Sequence, residues 1–243
     1  MTAFHAFTGT DHPPLGSEDV HVWCVRLDVS ASESLSCWSA LEEGERTRAE
    51  RLRLAHHRRR FVVARGLLRV TLGGYLGLSP SALRFRYAPG GRPELSPAAA
   101  RPRPRFNVTH SGEVALFAVT GGRAVGVDVE CLRGTDVRIE TVVSQFFPAR
   151  ERAILWGLPP AQRRRGMWRA WTRKEACWKA RGSGLSSVLG AREAATGTSE
   201  EAWSILDLPL GAGYVGAVAV QCRAPRLRLL NPRCVEGPTV TMA

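Results

Sequence analysis

The chain has 243 residues, 44 % of them apolar, and a formal net charge of +12. That length suits one large domain or two of about 100–150 residues each, no apolar run approaches the ~18 residues of a membrane span, and residues 1–19 lack the basic start and apolar stretch of a secretory signal. Six scattered cysteines (Cys24, Cys37, Cys131, Cys177, Cys222 and Cys234) include no Cys-x-x-Cys pair, which speaks against a zinc site and a disulfide scaffold and points to reduced thiols in the cytoplasm.

In chain order, residues 20–29 alternate and are rich in β-formers, so they read as a strand. Residues 34–54 read as one charged helix. A stronger helix is expected over 57–76, where Phe61, Ala64, Leu68, Leu72 and Tyr75 recur at three- and four-residue spacing, with Arg58, Arg59, Arg60, Arg65 and Arg69 on other positions. Residues 83–87 read as a strand, 89–93 as a turn, and 96–105 as a Pro-, Ala- and Arg-rich surface loop. Strands are expected at 106–108 and 114–120, flanking Thr109-His110-Ser111-Gly112. Gly121-Gly122 is the expected joint between two halves, residues 1–121 and 122–243. A buried strand at 125–129 follows, then helices at 140–147, 149–155 and 162–180, a glycine turn at 182–185, strands at 203–208 and 213–222, and a loose tail from 232. Strands mixed with long helices in each half give the fold class α+β.

A charge of +12 points to an anionic partner: nucleic acid, an acidic protein, a membrane surface or a phosphorylated small molecule. Of the 34 basic residues only Lys174 and Lys179 are lysines. Lysine offers a compact ammonium whose ionisation can be tuned, which arginine does not.

Two carboxylate motifs carry chemistry. In Gly126-Val127-Asp128-Val129-Glu130, residues two apart on a strand share a face, so Asp128 and Glu130 project together while Val127 and Val129 turn to the core. Adjacent carboxylates repel unless a cation lies between them, and hard oxygen donors suit Mg²⁺. In Trp171-Thr172-Arg173-Lys174-Glu175-Ala176-Cys177-Trp178-Lys179, helical spacing aligns Trp171, Glu175 and Lys179 on one stripe. Glu175 is placed to join Asp128 and Glu130 at one metal ion, and Lys179 to reach a phosphate oxygen. Thr109-His110-Ser111-Gly112 offers phosphate-binding donors, and Gly90-Gly91-Arg92-Pro93 offers amides and a guanidinium to a nucleotide. The absence of a Gly-x-Ser-x-Gly elbow, a Walker loop and a dinucleotide glycine fingerprint removes support from hydrolase, NTPase and dehydrogenase readings.

Taken in order, Gly91-Arg92-Pro93, Phe106-Asn107-Val108-Thr109-His110-Ser111, the Asp128 motif, Trp171-Thr172-Arg173-Lys174-Glu175, Lys179 and Gly182-Ser183-Gly184-Leu185 resemble the 4′-phosphopantetheinyl transferases of the surfactin-synthetase (Sfp) type over about residues 20–222. Thr109 stands where that family usually has serine, and Arg92 where lysine is common. The resemblance implies two similar α+β halves in a pseudo-twofold arrangement, with the active site in the cleft between them. It implies that the first half contacts the nucleotide of coenzyme A and the second supplies metal and catalytic residues. Asp128, Glu130 and Glu175 would hold Mg²⁺; Arg48, Gly91, Arg92, Thr109, His110, Asp128, Lys174 and Lys179 would contact coenzyme A; Glu175, Lys179 and Asp128 would be catalytic. The implied reaction is a holo-[carrier protein] synthase reaction. The phosphopantetheine arm of coenzyme A moves to a serine of an apo acyl or peptidyl carrier protein, and 3′,5′-ADP is released. Carriers of fatty-acid, polyketide or nonribosomal-peptide synthesis all qualify. A monomer without stable nucleic-acid or membrane contacts is expected. The alternative is an arginine-rich nucleic-acid-binding protein using Arg58-Arg59-Arg60 and Arg163-Arg164-Arg165.

Overall fold

Residues 114–120 read Val-Ala-Leu-Phe-Ala-Val-Thr, and all seven are buried. A strand without a polar face needs cover on both sides, and that requirement organises the molecule. The computed structural model describes residues 12–88, 91–96, 104–134, 138–182 and 202–231. Within them the elements in chain order are β1 (Asp19–Arg26), α1 (Ala31–Ala40), α2 (Glu43–Glu50), α3 (Ala55–Leu76), β2 (Phe85–Tyr87), β3 (Pro93–Leu95), β4 (Arg105–Ser111), β5 (Val114–Thr120) and β6 (Val125–Cys131). The second half continues with α4 (Ile139–Phe146), α5 (Ala149–Trp156), α6 (Pro160–Arg181), β7 (Ser204–Asp207), β8 (Tyr214–Val220) and β9 (Arg226–Leu230). The class is α+β, in two halves, as the sequence pattern implies.

One sheet has the order β4-β5-β1-β9 and a second the order β6-β8-β7, with β2 and β3 as a separate hairpin. On one face of the first sheet, Trp23, Val25, Phe117 and Val119 pack with Leu67, Leu68 and Leu72 of α3. On its other face, Val22, Cys24, Leu116 and Ala118 pack with Val127, Val129, Val218 and Val220 of the second sheet. The far side of the second sheet presents Ala217 and Ala219 to Ala176 and Ala180 of α6. The layers therefore run helices, sheet, sheet, helix. Small residues let α6 lie close to the sheet, and Gly126 is the extreme case. A Cβ there would stand 2.1 Å from the Ala176 carbonyl oxygen, so only glycine allows α6 to sit on β6 at this distance.

Several expectations change. The single helix expected over 34–54 is two, because Ser30/Glu33 and Glu42/Glu45 each form a capping box and so start a new helix at each place. Pro93, read as the end of a turn, instead opens the strand Pro93–Leu95 paired with β2. Thr109-His110-Ser111 is not a loop between strands. It continues β4, which turns into β5 at Gly112 with φ +58°. β9, not expected from the sequence, returns from the second half to pair in parallel with β1, Val22 opposite Leu229. It thus crosses the expected division at Gly121-Gly122. Among the described residues Cys37, Cys131, Cys177 and Cys222 are free. Of the loop expected over 96–105, Arg105 opens β4 and residues 97–103 lie outside the described residues, as do the turn residues 89–90 and 183–185 and the tail from 232.

The α3 arginines also need correcting. Arg65 and Arg69 do not sit off the apolar stripe but within it, and Arg69 is fully buried. Arg69 Nε donates to Glu45 Oε2 at 2.6 Å, and its Nη1 donates to the carbonyls of Pro80 and Leu83. Arg65 pairs with Glu45 at 3.2 Å. The pairing ties α2 and the segment before β2 onto α3. A buried guanidinium needs such partners, because an uncompensated charge there is costly.

Candidate active site

The two sheets meet where their edge strands β4 and β6 run side by side. They are joined there by side chains. Residues two apart on β4 reach across in turn: Asn107 Oδ1 accepts from the Val127 amide at 3.0 Å, Thr109 Oγ1 donates to Asp128 Oδ1 at 3.1 Å, and Ser111 Oγ donates to Glu130 Oε2 at 2.9 Å. Ser111 Oγ also accepts from the Cys131 amide at 3.0 Å. The period of two in Asn-Val-Thr-His-Ser therefore locks the first half of the molecule to the carboxylate strand of the second.

Asp128 is buried at the centre of this seam, 4 % exposed. From α6, Lys179 Nζ donates to its Oδ1 at 2.6 Å, and also to Thr109 Oγ1 at 3.2 Å and the Val127 carbonyl at 3.4 Å. Asp128 Oδ2 is buried without a hydrogen-bond partner among the described residues. Burial pushes the Asp128 carboxyl up from its ordinary value, against the pull of Lys179. Glu130 is raised by burial and by the Asp128 charge. Glu175, one turn before Lys179, is pushed up to about 7, mainly by desolvation, with Asp128 and Glu130 adding to the rise and Lys179 opposing it. Three carboxylates thus share one ammonium, and their mutual repulsion is only partly relieved.

Among the described residues no three carboxylate, imidazole or thiol groups already close on one point as a metal cage. Lys179 takes one of the two Asp128 oxygens. The donor chemistry nevertheless fits a hard divalent cation: oxygen ligands, one of them buried and unpaired, with excess negative charge.

A cavity of about 600 Å³ opens beside this cluster, and Thr109 and Lys179 belong to its wall. The rest of the wall is basic and apolar: Arg48, His56, His57, Arg60 and Arg65 with Phe61, Leu68 and Phe117, plus Gly91 and His110. His110 is held below the ordinary imidazole value by partial enclosure first, then by the charges of Lys179, Arg60 and His57. Arg48 lies over the Phe61 ring at 5.4 Å. A basic concavity joined to a carboxylate cluster suits an anionic, phosphate-bearing ligand that meets a cation.

Of the residues singled out in the sequence, Asp128, Glu130, Glu175, Lys179 and Thr109 come together at the seam, and Arg48, Gly91 and His110 line the cavity. Two go elsewhere. Lys174 pairs with Glu151 at 3.0 Å and lies 4.8 Å from the Phe147 ring centre, away from the cavity wall. Five residues on a helix turn it about 140° from Lys179. Arg92 donates through Nη1 to the Lys179 carbonyl at 3.1 Å and through Nη2 to Glu94 at 2.7 Å. The sequence reading missed Glu45, His56, His57, the wall position of Arg65 and the bridging roles of Asn107 and Ser111. Arg65 and Arg69, spaced four apart among apolar stripe positions, were the available signal.

The arginine clusters behind the nucleic-acid alternative are used within the fold. Arg58 donates to the Leu52 carbonyl, Arg59 to Val29, and Arg60 pairs with Asp28. Arg163, Arg164 and Arg165 donate to the carbonyls of Leu158, Leu132 and Ala212. No helix among the described residues is long and apolar enough to cross a membrane.

Two family models match the chain, one over each half. Residues 124–215 match the model of the 4′-phosphopantetheinyl transferase superfamily, and residues 28–121 match that of the 4′-phosphopantetheinyl transferase N-terminal domain. The chain is 39 % identical over 210 residues to the 4′-phosphopantetheinyl transferase HetI of Nostoc sp., covering 84 % of this chain and 88 % of that protein. It is 36 % identical over 138 residues to the L-aminoadipate-semialdehyde dehydrogenase-phosphopantetheinyl transferase of Eremothecium gossypii, covering 54 % and 48 %. It is 27 % identical over 161 residues to a 4′-phosphopantetheinyl transferase of Bacillus subtilis, covering 66 % and 69 %. The first match spans both sides of the β4–β6 seam, and so the whole of the site built above: the chain belongs to the 4′-phosphopantetheinyl transferase superfamily.

Proposed function

We propose that this phosphopantetheinyl transferase moves the 4′-phosphopantetheine arm of coenzyme A onto a serine of an apo acyl or peptidyl carrier protein, with Mg²⁺ held by Asp128, Glu130 and Glu175. The observation that carries the reading is the junction at Lys179. One ammonium touches the most deeply buried of the three carboxylates and also lines a basic cavity large enough for a nucleotide.

In this reading the cavity receives the nucleotide of coenzyme A, with Arg48, His110 and Thr109 toward its phosphates and Gly91 beside the base. Bound at the three carboxylates, Mg²⁺ would supply positive charge to the diphosphate. Lys179 presents its ammonium to the same diphosphate and to the charge that grows on the leaving group. Glu175, with a carboxyl poised at about 7, accepts the proton of the carrier serine. As that proton leaves, the serine oxygen forms its bond to the β-phosphorus. The bond from that phosphorus to the bridging oxygen breaks, and its electron pair departs with 3′,5′-ADP. Thr109 holds Asp128 and Lys179 in register, since its hydroxyl bonds to both. The first half handles nucleotide and the second metal and proton. We place the chain in the cytoplasm, acting as a monomer, in fatty-acid, polyketide or nonribosomal-peptide synthesis.

The test is incubation of the chain with coenzyme A, Mg²⁺ and a panel of apo carrier domains, read by intact mass. The expected result is one phosphopantetheine added to at least one carrier, lost when its serine is replaced by alanine. A folded chain that modifies none of the panel would contradict the reading.

A further inference from the structure

Arg92 stands beside Gly91, which lines the cavity, yet its guanidinium is committed elsewhere. Nη1 donates to the Lys179 carbonyl at 3.1 Å, and Nη2 to Glu94 Oε1 at 2.7 Å. The same carbonyl accepts from the Gly182 amide at 3.2 Å, where α6 ends with Gly182 in the left-handed conformation at φ +73°. A cation on the last carbonyls of a helix is also favoured by the helix dipole. Glu94 is held from its other side by Arg86 at 2.9 Å. Hydrogen bonding by Arg92 keeps the Glu94 carboxyl below its ordinary value, so the pair is ionised. Arg92 and Glu94 belong to the β2–β3 hairpin of the first half, and α6 belongs to the second. The contact therefore bridges the halves at the backbone of the residue whose ammonium reaches Asp128.

We infer that Arg92 is a positioning residue and not a nucleotide ligand: braced by Glu94, it clamps the β2–β3 hairpin onto the C-terminal end of α6 and so fixes where Lys179 stands against Asp128. The inference rests on the transferase reading for its kinetic consequences, but not for its structural ones. It departs from the role that the sequence resemblance implies for this position. Glu94 separates the two roles. If Arg92 contacted coenzyme A directly, freeing it from Glu94 would preserve or improve binding. If Arg92 acts through α6, losing Glu94 slackens the clamp and slows the chemical step.

The experiment compares Glu94→Gln, Arg92→Ala and the double variant with the unaltered chain, using steady-state transfer to a carrier and amide hydrogen exchange without ligand. Glu94→Gln is expected to lower kcat about tenfold with KM for coenzyme A within about twofold, the signature of a displaced catalytic group. The double variant is expected to lose no more than Arg92→Ala alone, because the two act as one unit. Exchange at the last turn of α6, through Gly182, is expected to quicken in both single variants. Normal kcat and exchange in Glu94→Gln would overturn the inference. So would an Arg92→Ala variant whose only defect is a raised KM for coenzyme A. If the unaltered chain transfers nothing, the transferase reading fails, and the exchange comparison alone decides the clamp.

Discussion

The molecule holds two clusters of buried charge that differ in how completely they are paired. Around Glu45 in the first half, one carboxylate meets two guanidinium groups, Arg65 at 3.2 Å and Arg69 at 2.6 Å, and Glu42 adds a second acid at 3.3 Å from Arg69. Cation and anion are matched, and the groups knit α2 to α3. Around Asp128 in the second half, three carboxylates face one ammonium. Glu175 is pushed up to about 7, first by desolvation and then by the Asp128 and Glu130 charges. The first arrangement is self-sufficient and serves the fold. The second is short of positive charge and gains most when a cation and a ligand arrive. Buried charge alone does not mark an active site; unmatched buried charge beside a cavity does.

The comparison breaks most visibly in the second cluster. Glu175→Gln should cut transfer by about 10³-fold or more, by loss of a proton acceptor and a cation ligand. Its urea midpoint should stay level or rise, because a crowded carboxylate is replaced by a neutral group of the same shape. Near-normal turnover would remove Glu175 from the mechanism. Lys179→Ala should slow transfer roughly 10²–10³-fold, through loss of charge at the departing diphosphate. Lys179→Arg should recover only part of that, since a planar guanidinium cannot replace a compact ammonium between Asp128 and Thr109. Full recovery would mean that position 179 needs charge alone.

In the first cluster the effect should appear in stability. Glu45→Gln removes the carboxylate that Arg65 and Arg69 share, leaving Arg69 with Glu42 and two carbonyls, and should cost up to about 3–5 kcal/mol in denaturant unfolding. A loss no larger than that of Glu175→Gln would erase the contrast. The smallest effect belongs to a half-exposed pair. Burial alone would raise Asp207, but hydrogen bonds from Arg169 at 3.0 Å and Arg173 at 3.1 Å hold it below the ordinary value. A carboxylate depressed in the folded state contributes stability above its unfolded value of about 4, and that contribution fades as pH falls through the lower folded value. Asp207→Asn should therefore cost up to about 1 kcal/mol near pH 7 and converge with the unaltered chain in acid. A constant gap across that range would show that the loss is not electrostatic.

What the sequence made legible follows from local periodicity. The two-residue repeat of Asp128 and Glu130 and the four-residue repeat of Glu175 and Lys179 each put their groups on one face, and the structure keeps those faces. Features that depend on distant partners were hidden. Arg65 and Arg69 look like surface charge until Glu45 arrives from another helix. Arg226–Leu230 becomes a strand only because β1 offers an open edge. Thr109-His110-Ser111 resembles a polar turn because its hydroxyls face a second sheet that local pattern cannot supply. Lys174 shows the reverse error. The family resemblance set it against coenzyme A, while helical rotation carries it to Glu151.

The most direct measurement is calorimetric titration of Mg²⁺ into the chain preloaded with coenzyme A, for the unaltered protein and for Asp128→Asn. Saturable binding of one ion per chain is expected, abolished by Asp128→Asn while the fold persists. Equal Mg²⁺ binding by both proteins would contradict it.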